Sequence, residues 1–316
     1  MGRYYLMACY HPMTAYRSRA GRDPKTGKWP VVFNISKGYA DMEVSVACGQ
    51  CIGCRLERSR QWAIRCVHEA SLHPINCFIT LTYSPEYEGR LSVPLPDPVT
   101  GEVIGSQLSL RKDDFVLFMK RLRKKFGEGT RFFHCGEYGE ENYRPHHHAI
   151  LFNHDFADKK VWKSNNGFVL YRSADLERLW PYGFASVGSV SFESAAYVAR
   201  YVTKKITGDM ADFHYLGRVP EYVTMSRRPG IARSWFDKYK DTDVYAHDTV
   251  ILRNLKLRPP KYYDKLYDLE NPEGFSRIKA KRFYKAISSD DNTPDRLLVR
   301  ETIQKAKAVR LIRKFY

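Results

Sequence analysis

Long apolar runs are scarce in this 316-residue chain. None approaches the roughly 20 residues a helix needs to cross a bilayer, so no membrane span and no membrane partner is expected. The opening residues MGRYYLMACYHPMTAYR hold too short an apolar stretch for a secretory signal. A soluble, intracellular protein is the expectation. The seven cysteines are odd in number, and without export they argue against a disulfide framework. There is no G-x4-G-K-[ST] phosphate loop, which excludes a fused helicase, and no internal repeat. Acidic residues are few: 35 Asp and Glu stand against 52 Lys and Arg, a formal net charge of +17 spread over the whole length.

Against these shortages the chain sets 22 tyrosines, 17 phenylalanines and 5 tryptophans interleaved with its cations. A basic but otherwise ordinary protein is the bland reading. A groove for phosphate backbone and stacked bases fits the combination better, so nucleic acid is the favoured partner.

The hydrophobic pattern outlines the elements. Residues 1–55 are rich in turn formers and carry a C-x2-C-x2-C run. Leu56, Trp62 or Ala63, Cys66 and Ala70 keep a helical period over 56–72, until Pro74. Residues 77–83 (CFITLTY) read as a buried strand, and 84–108, with four prolines and three glycines, as a long loop. Phe115, Phe118, Met119, Leu122 and Phe126 mark an amphipathic helix ended by Gly127. Strands follow at 131–137 and 146–152, a short helix at 174–180, a strand at 184–190 and a helix at 192–206 closed by Gly208. Beyond it periodicity is weak until a basic helix near 296–314. Two strands adjacent in sequence and then helices imply an α+β sandwich with one largely antiparallel sheet, the histidine strand lying centrally.

Two segments carry chemistry. Residues 145–152 read PHHHAILF. On a strand His146 and His148 share a face and His147 points away, so the outer pair can converge on one metal ion. Glu137, on the neighbouring strand, can supply a carboxylate if 138–145 turn the chain back; Glu140 belongs to the turn. The alternative is a polar strand edge. Residues 197–205 read YVARYVTKK; on a helix Tyr197, Tyr201 and Lys205 form one stripe. Such a pair is often core packing, but Val198 and Val202 already give an apolar stripe. A phenol of pKa about 10 is a poor nucleophile at neutral pH, and a cation with a polarising metal is the usual remedy. The two hydroxyls stand roughly 6 Å apart along the axis, so they can serve one phosphate alternately. Lys205, one turn beyond Tyr201, favours Tyr201 for the first cut and Tyr197 for the second.

The cysteine run is separate. Cys48, Cys51 and Cys54 need a fourth ligand to close a tetrahedral zinc site. Cys9 is the first candidate, with His11 or Cys66 behind it; free thiols in a tight loop are the alternative.

These motifs carry a resemblance. His146-His147-His148 followed by Ala-Ile-Leu-Phe resembles the HUH motif of rolling-circle replication initiators, Phe78-Ile-Thr-Leu-Thr82 their first motif, and Tyr197-Val-Ala-Arg-Tyr201-Val-Thr-Lys204-Lys205 their two-tyrosine motif. Cys48-Gly-Gln-Cys51-Ile-Gly-Cys54-Arg55, Arg60-Gln-Trp62-Ala-Ile-Arg65 and Leu179-Trp-Pro-Tyr-Gly-Phe184 resemble the initiators of gokushovirus-type microviruses. The matches span about residues 9–236; His147 departs from a slot that is usually apolar or aromatic. The resemblance implies a five-stranded antiparallel sheet with the histidine strand in the middle, flanked by helices. It implies Mg²⁺ or Mn²⁺ on His146, His148 and Glu137, and a tyrosine that nicks and rejoins a single-stranded DNA origin. The products would be a 5′-phosphotyrosyl link and a free 3′-OH for the host polymerase, beside the host helicase, in the bacterial cytoplasm. An HUH transposase or relaxase is the near rival; a non-catalytic, zinc-containing single-strand-binding protein is the distant one. The expected organisation is a cysteine-rich segment with the first helix (1–73), an endonuclease core (74–210) and a basic C-terminal region (211–316).

Overall fold

The computed structural model describes residues 9–24, 27–139, 142–165, 168–201, 206 and 210–309, with only the backbone of 165, 168, 200 and 201. It divides into two compact units, Met1–Glu57 with Asp264–Leu311, and Arg58–Tyr263 with Ile312–Tyr316.

In the first unit β1 (Met13–Ser18) lies between β2 (Val31–Val32) and β3 (Gly38–Val46), antiparallel to both. Little of this sheet is buried; the unit is tied together largely by charge. The Arg282 guanidinium forks onto Asp264 at 2.7 and 3.0 Å, His11 meets Glu301 at 2.8 Å, and Lys28 meets Asp268 at 2.5 Å. His11 and Lys28 thus join the N-terminal segment to the helices Pro294–Val309 and Lys261–Glu270, while Arg282 ties Pro272–Ile287 to Lys261–Glu270. The unit boundary falls within α1 (Ile52–Ala70), between Glu57 and Arg58.

The second unit is built on β4 (Asn76–Thr82), the ribbon β5 (Ser92–Pro96) and β6 (Val103–Leu108), then α2 (Lys112–Phe126), β7 (Arg131–Tyr138) and β8 (Pro145–Phe152). There follow β9 (Lys160–Asn165), β10 (Phe168–Arg172), α3 (Ala174–Leu179), β11 (Ala185–Gly188), α4 (Phe192–Tyr201) and β12 (Tyr222–Met225). The main sheet runs β12-β7-β8-β4-β11-β10-β9, and every pairing is antiparallel. It therefore has seven strands, not the five expected. Position four is β4, and the histidine strand β8 lies beside it, flanked on both edges. The strands beyond the four read from the sequence are the β9–β10 hairpin, in which Val161 and Trp162 are adjacent and no two-residue period shows, and four-residue β12, too short to show one. The span 84–108 is not a simple loop either. Pro94 and Pro96 sit in the two-stranded β5–β6 ribbon, where a missing N–H costs little, and Asp97 closes its turn by accepting from the Val99 and Thr100 amides at 2.8 Å.

One face of the sheet packs on α2 and α3. Cys77, Ile79 and Leu81 of β4 and Ala149 and Leu151 of β8 meet Phe115, Phe118, Met119, Leu122, Leu176 and Trp180, each fully buried apolar side chain contributing about 1.5–3 kcal/mol. Gly127 ends α2 at φ 87, its N–H donating to the Arg123 carbonyl at 2.9 Å. Trp180 donates Nε1 to the Thr82 carbonyl at 2.9 Å. A Cβ on Gly183 would stand 2.3 Å from the Ser84 nitrogen, so only glycine lets this segment pass. On the other face Trp62 of α1 lies 4.9 Å from Phe133, and α4 lies over β7 and β8. Covered on both faces, β8 is buried along all eight residues.

Candidate metal centre and active site

Register brings the three donors together. Glu137 of β7 is the direct cross-strand partner of His146, and His148 lies two residues along β8 on the same face. His146 Nε2 is 2.6 Å and His148 Nε2 3.0 Å from Glu137 Oε1. The ligand atoms of all three residues lie within 4.8 Å of one another, and all three residues are buried.

Outer contacts aim the imidazoles. His146 Nδ1 lies 3.1 Å from the Arg144 carbonyl, which only accepts, so the N–H is on Nδ1 and Nε2 presents a lone pair to the carboxylate. Two acceptors that close need a cation between them, a proton or a metal ion. His148 Nδ1 is held at 3.0 Å by Thr80 Oγ1, from the strand on the other side. Glu137 Oε2 is buried and makes no hydrogen bond among the described residues. Burial pushes the Glu137 carboxyl up, but the contacts with the two imidazoles outweigh it and leave it below its ordinary value. Two imidazoles, one carboxylate and an unsatisfied carboxylate oxygen fit a divalent ion with open positions for substrate oxygen.

Tyr197 of α4 is 2% exposed, and its ring stands edge-on to His148, centroids 5.2 Å apart, and to Phe78 at 6.4 Å. Tyr201 ends the described helix; its side chain, with Lys205, Gly208 and Glu140, lies outside the described residues.

The middle histidine faces the opposite side of the sheet and belongs to a buried polar chain. Tyr83 donates to Asp114 Oδ2 at 2.9 Å, so its oxygen accepts from His147 Nε2 at 3.0 Å. His147 Nδ1 is then the acceptor for His134 Nε2 at 3.2 Å, and His134 Nδ1 accepts from Thr224 Oγ1 at 2.8 Å. The far end is anchored by Arg90, 2.6 Å from Asp114 Oδ1. Burial drives the His147 pKa down to about 3, and burial with the neighbouring imidazoles holds His134 well below its usual range, so both rings are neutral donor–acceptor links. A polar residue in the usually apolar slot is thus accounted for by its partners. These partners come from four other strands and helices and from Tyr83 just beyond β4, and only their pattern of polar residues at otherwise apolar positions hinted at them.

The first unit carries a second donor group. Cys9, Cys48, Cys51 and Cys54 place their sulfurs within 4.8 Å of one another; Cys9–Cys48 is 3.6 Å and Cys48–Cys54 4.0 Å. A tetrahedral zinc with bonds of about 2.3 Å sets its sulfurs about 3.8 Å apart. Backbone amides of Cys48, Cys51 and Tyr10 donate to the sulfurs of Cys9, Cys48 and Cys51 at 3.3, 3.3 and 3.4 Å. Burial raises the Cys9 and Cys54 thiols, whereas at Cys51 the hydrogen bonds, led by that from the Tyr10 amide, outweigh burial and bring it down to about 7, so Cys51 is the thiol of these three that most readily gives up its proton. His11 is engaged with Glu301, and Cys66 is buried elsewhere in α1.

A family model described as replication-associated protein ORF2/G2P matches residues 76–206, the span that contains β4, β7, β8 and α4. The replication-associated protein ORF2 of Spiroplasma virus 4 is 31% identical over 292 residues, 87% of this chain and 86% of that protein. The replication-associated protein VP4 of Bdellovibrio phage phiMH2K is 32% identical over 291 residues, 87% of this chain and 82% of that protein. The replication-associated protein ORF4 of Chlamydia phage 1 is 30% identical over 229 residues, 69% of this chain and 52% of that protein. The chain belongs to this family of phage replication-associated proteins. No solved structure matches it. No helix among the described residues is long and apolar enough to cross a membrane.

Proposed function

We propose that the protein initiates rolling-circle replication by nicking and rejoining single-stranded origin DNA. The observation that carries this reading is the convergence of Glu137, His146 and His148 on one sheet face, with the Tyr197 ring against His148. When bound there, Mg²⁺ or Mn²⁺ supplies Lewis-acid polarisation of a phosphate oxygen. The tyrosine oxygen attacks phosphorus, the P–O3′ bond breaks, and the phenolic proton ends on the departing oxygen. The products are a 5′-phosphotyrosyl link and a 3′-OH for the host polymerase. Because the ester conserves the bond energy, attack by a 3′-OH or by the second tyrosine reverses or transfers it without a nucleotide cofactor. Tyr201 makes the first cut, with Lys205 stabilising its phenolate, and Tyr197 resolves the product.

The cysteine group is assigned a structural zinc, which would order residues 9–57, a segment with few buried apolar side chains. Residues 74–210 form the endonuclease core of this reading, 1–73 the cysteine-rich segment with the first helix, and 211–316 a basic region that binds DNA or packs on the core.

The test is incubation with origin-bearing single-stranded phage DNA and Mn²⁺, followed by a denaturing gel. Each single Tyr→Phe variant should still form some covalent adduct, and Tyr197→Phe/Tyr201→Phe none, while DNA binding persists. An adduct surviving in the double variant, or none in the wild type, removes the reading and leaves a non-catalytic binder. Peptide mapping of the phosphotyrosine decides the order; an adduct found only at Tyr197 reverses it.

A further inference from the structure

The first unit carries a cavity of about 830 Å³ that the nicking reading does not use. Arg17, Arg22, Lys28 and Trp29 form one wall; Asp268, Phe275 and Lys279 form the other. Four cations and one carboxylate leave a net charge of +3. Asp268 holds both ammoniums, Lys28 at 2.5 Å and Lys279 at 3.4 Å, yet these side chains remain 61% and 52% exposed. Among the lining side chains cations thus outnumber carboxylates four to one, a balance that attracts an anion. The aromatic component is equally specific. Trp29 is half-buried, fixed edge-on by Tyr39 at 5.9 Å, with the Arg22 guanidinium 5.8 Å away. Phe275 is buried beneath the Lys279 ammonium at 4.9 Å.

A simple anion would use the cations and leave the indole idle; an apolar ligand would do the reverse. A ligand that alternates phosphate with planar rings uses both, which is the composition of single-strand grooves. The volume lies within the 300–1,000 Å³ range of small-ligand pockets and accommodates a short stretch of strand. We infer that this cavity is a second single-stranded DNA contact site, stacking a base on Trp29 and taking phosphates on Arg17, Arg22, Lys28 and Lys279. The site lies in a different unit from the metal centre and does not depend on whether the protein nicks.

The test uses the full chain in the Tyr197→Phe/Tyr201→Phe background, without added Mg²⁺ or Mn²⁺, so that cleavage cannot contribute. Anisotropy of a labelled 20-nucleotide oligo(dT) is titrated at several salt concentrations. Each phosphate contact contributes about 0.7 to the salt slope on single strands. Arg22→Gln/Lys28→Gln/Lys279→Gln should therefore lower the slope by about 2. Trp29→Ala should weaken binding by about 5–150-fold, the range for one base–aromatic stack. Unchanged slope and affinity in both variants overturn the inference. Because these variants could disturb the fold, the intact surface is also probed with a 5-bromodeoxyuridine oligonucleotide. Photo-crosslinks are expected in peptides holding Trp29 or Phe275; crosslinks confined to residues 58–263 overturn it. So does competition by inorganic phosphate as strong as that by an equal concentration of thymidine monophosphate, which would leave an anion site with no use for the ring. Failure of the nicking test leaves all of these readouts intact.

Discussion

Replacing His147 with phenylalanine separates the two faces of the histidine strand. The substitution keeps a ring beside Trp180, whose centroid lies 5.6 Å away, and beside Phe115 at 6.4 Å, so packing changes little. Polar pairing changes a great deal. The His134 Nε2–H, buried and facing His147 at 3.2 Å, loses its acceptor, which costs about 1–3 kcal/mol. The Tyr83 oxygen loses an incoming donor, about 1 kcal/mol more. The expected destabilisation is therefore about 2–4 kcal/mol, read by urea denaturation followed by circular dichroism at pH 7. Removing both partners in His134→Phe/His147→Phe eliminates the orphaned N–H, so the double variant should be less destabilised than the sum of the singles by about 1–3 kcal/mol. Mn²⁺ affinity should stay near that of the unchanged protein, because the donor group lies on the other side of the sheet. Strict additivity of the two substitutions, or a loss of Mn²⁺ binding as large as in His148→Ala, would refute the directional chain.

The remaining expectations concern the two donor groups and one buried imidazole. His148→Ala and Glu137→Gln should each cost more Mn²⁺ affinity than the 10–100-fold typical of outer contacts, and His148→Ala should abolish nicking while single-strand binding persists; parallel loss of both would make the histidines structural. Metal analysis should find one zinc per chain, near zero in Cys48→Ser, which removes a sulfur 3.6 Å from that of Cys9, and unchanged in Cys66→Ser; equal zinc content in all three would dissolve the four-cysteine site. His68 stacks on Trp235 at 3.5 Å and pairs with Tyr263 at 2.8 Å, and burial lowers its pKa to about 3. Its folded value is thus below the unfolded one near 6.5, so the unfolded chain takes the proton first. Stability should fall as pH drops from about 6.5 towards 3, by up to about 1.4 kcal/mol per pH unit from this ring; His68→Phe should flatten the slope by that amount between pH 6 and 5, and an unaltered slope would discount it.

How much of this was legible depended on whether the signal was local. The shared face of His146 and His148 follows from strand alternation alone. Their meeting with Glu137 required only that a short turn reverse the chain, which it does by pairing Glu137 with His146. Helix α2 announced itself through its apolar period and Gly127. Cys9 could be only a candidate, because a contact 39 residues away in sequence leaves no periodic trace. Less accessible still were the contacts between chain ends, His11 with Glu301 and Lys28 with Asp268, since no pattern within either segment points to the other. The β9–β10 hairpin escaped for a physical reason: as the edge of the sheet it exposes Val161 and Trp162, so its pattern is not that of a half-buried strand. The seven-stranded width was lost with it.

The polar chain through His147 bears on how this lineage can change over time. His134 and His147 complete each other's hydrogen bonds, so losing either imidazole alone leaves a buried group unmatched, whereas losing both together restores an apolar contact. Substitution at one position therefore opens a fitness valley that substitution at the other closes. Relatives with an apolar residue at the position of His147 should tend to lack the imidazole at that of His134. The outer histidines have no such escape route, because each meets the Glu137 carboxylate rather than the other imidazole.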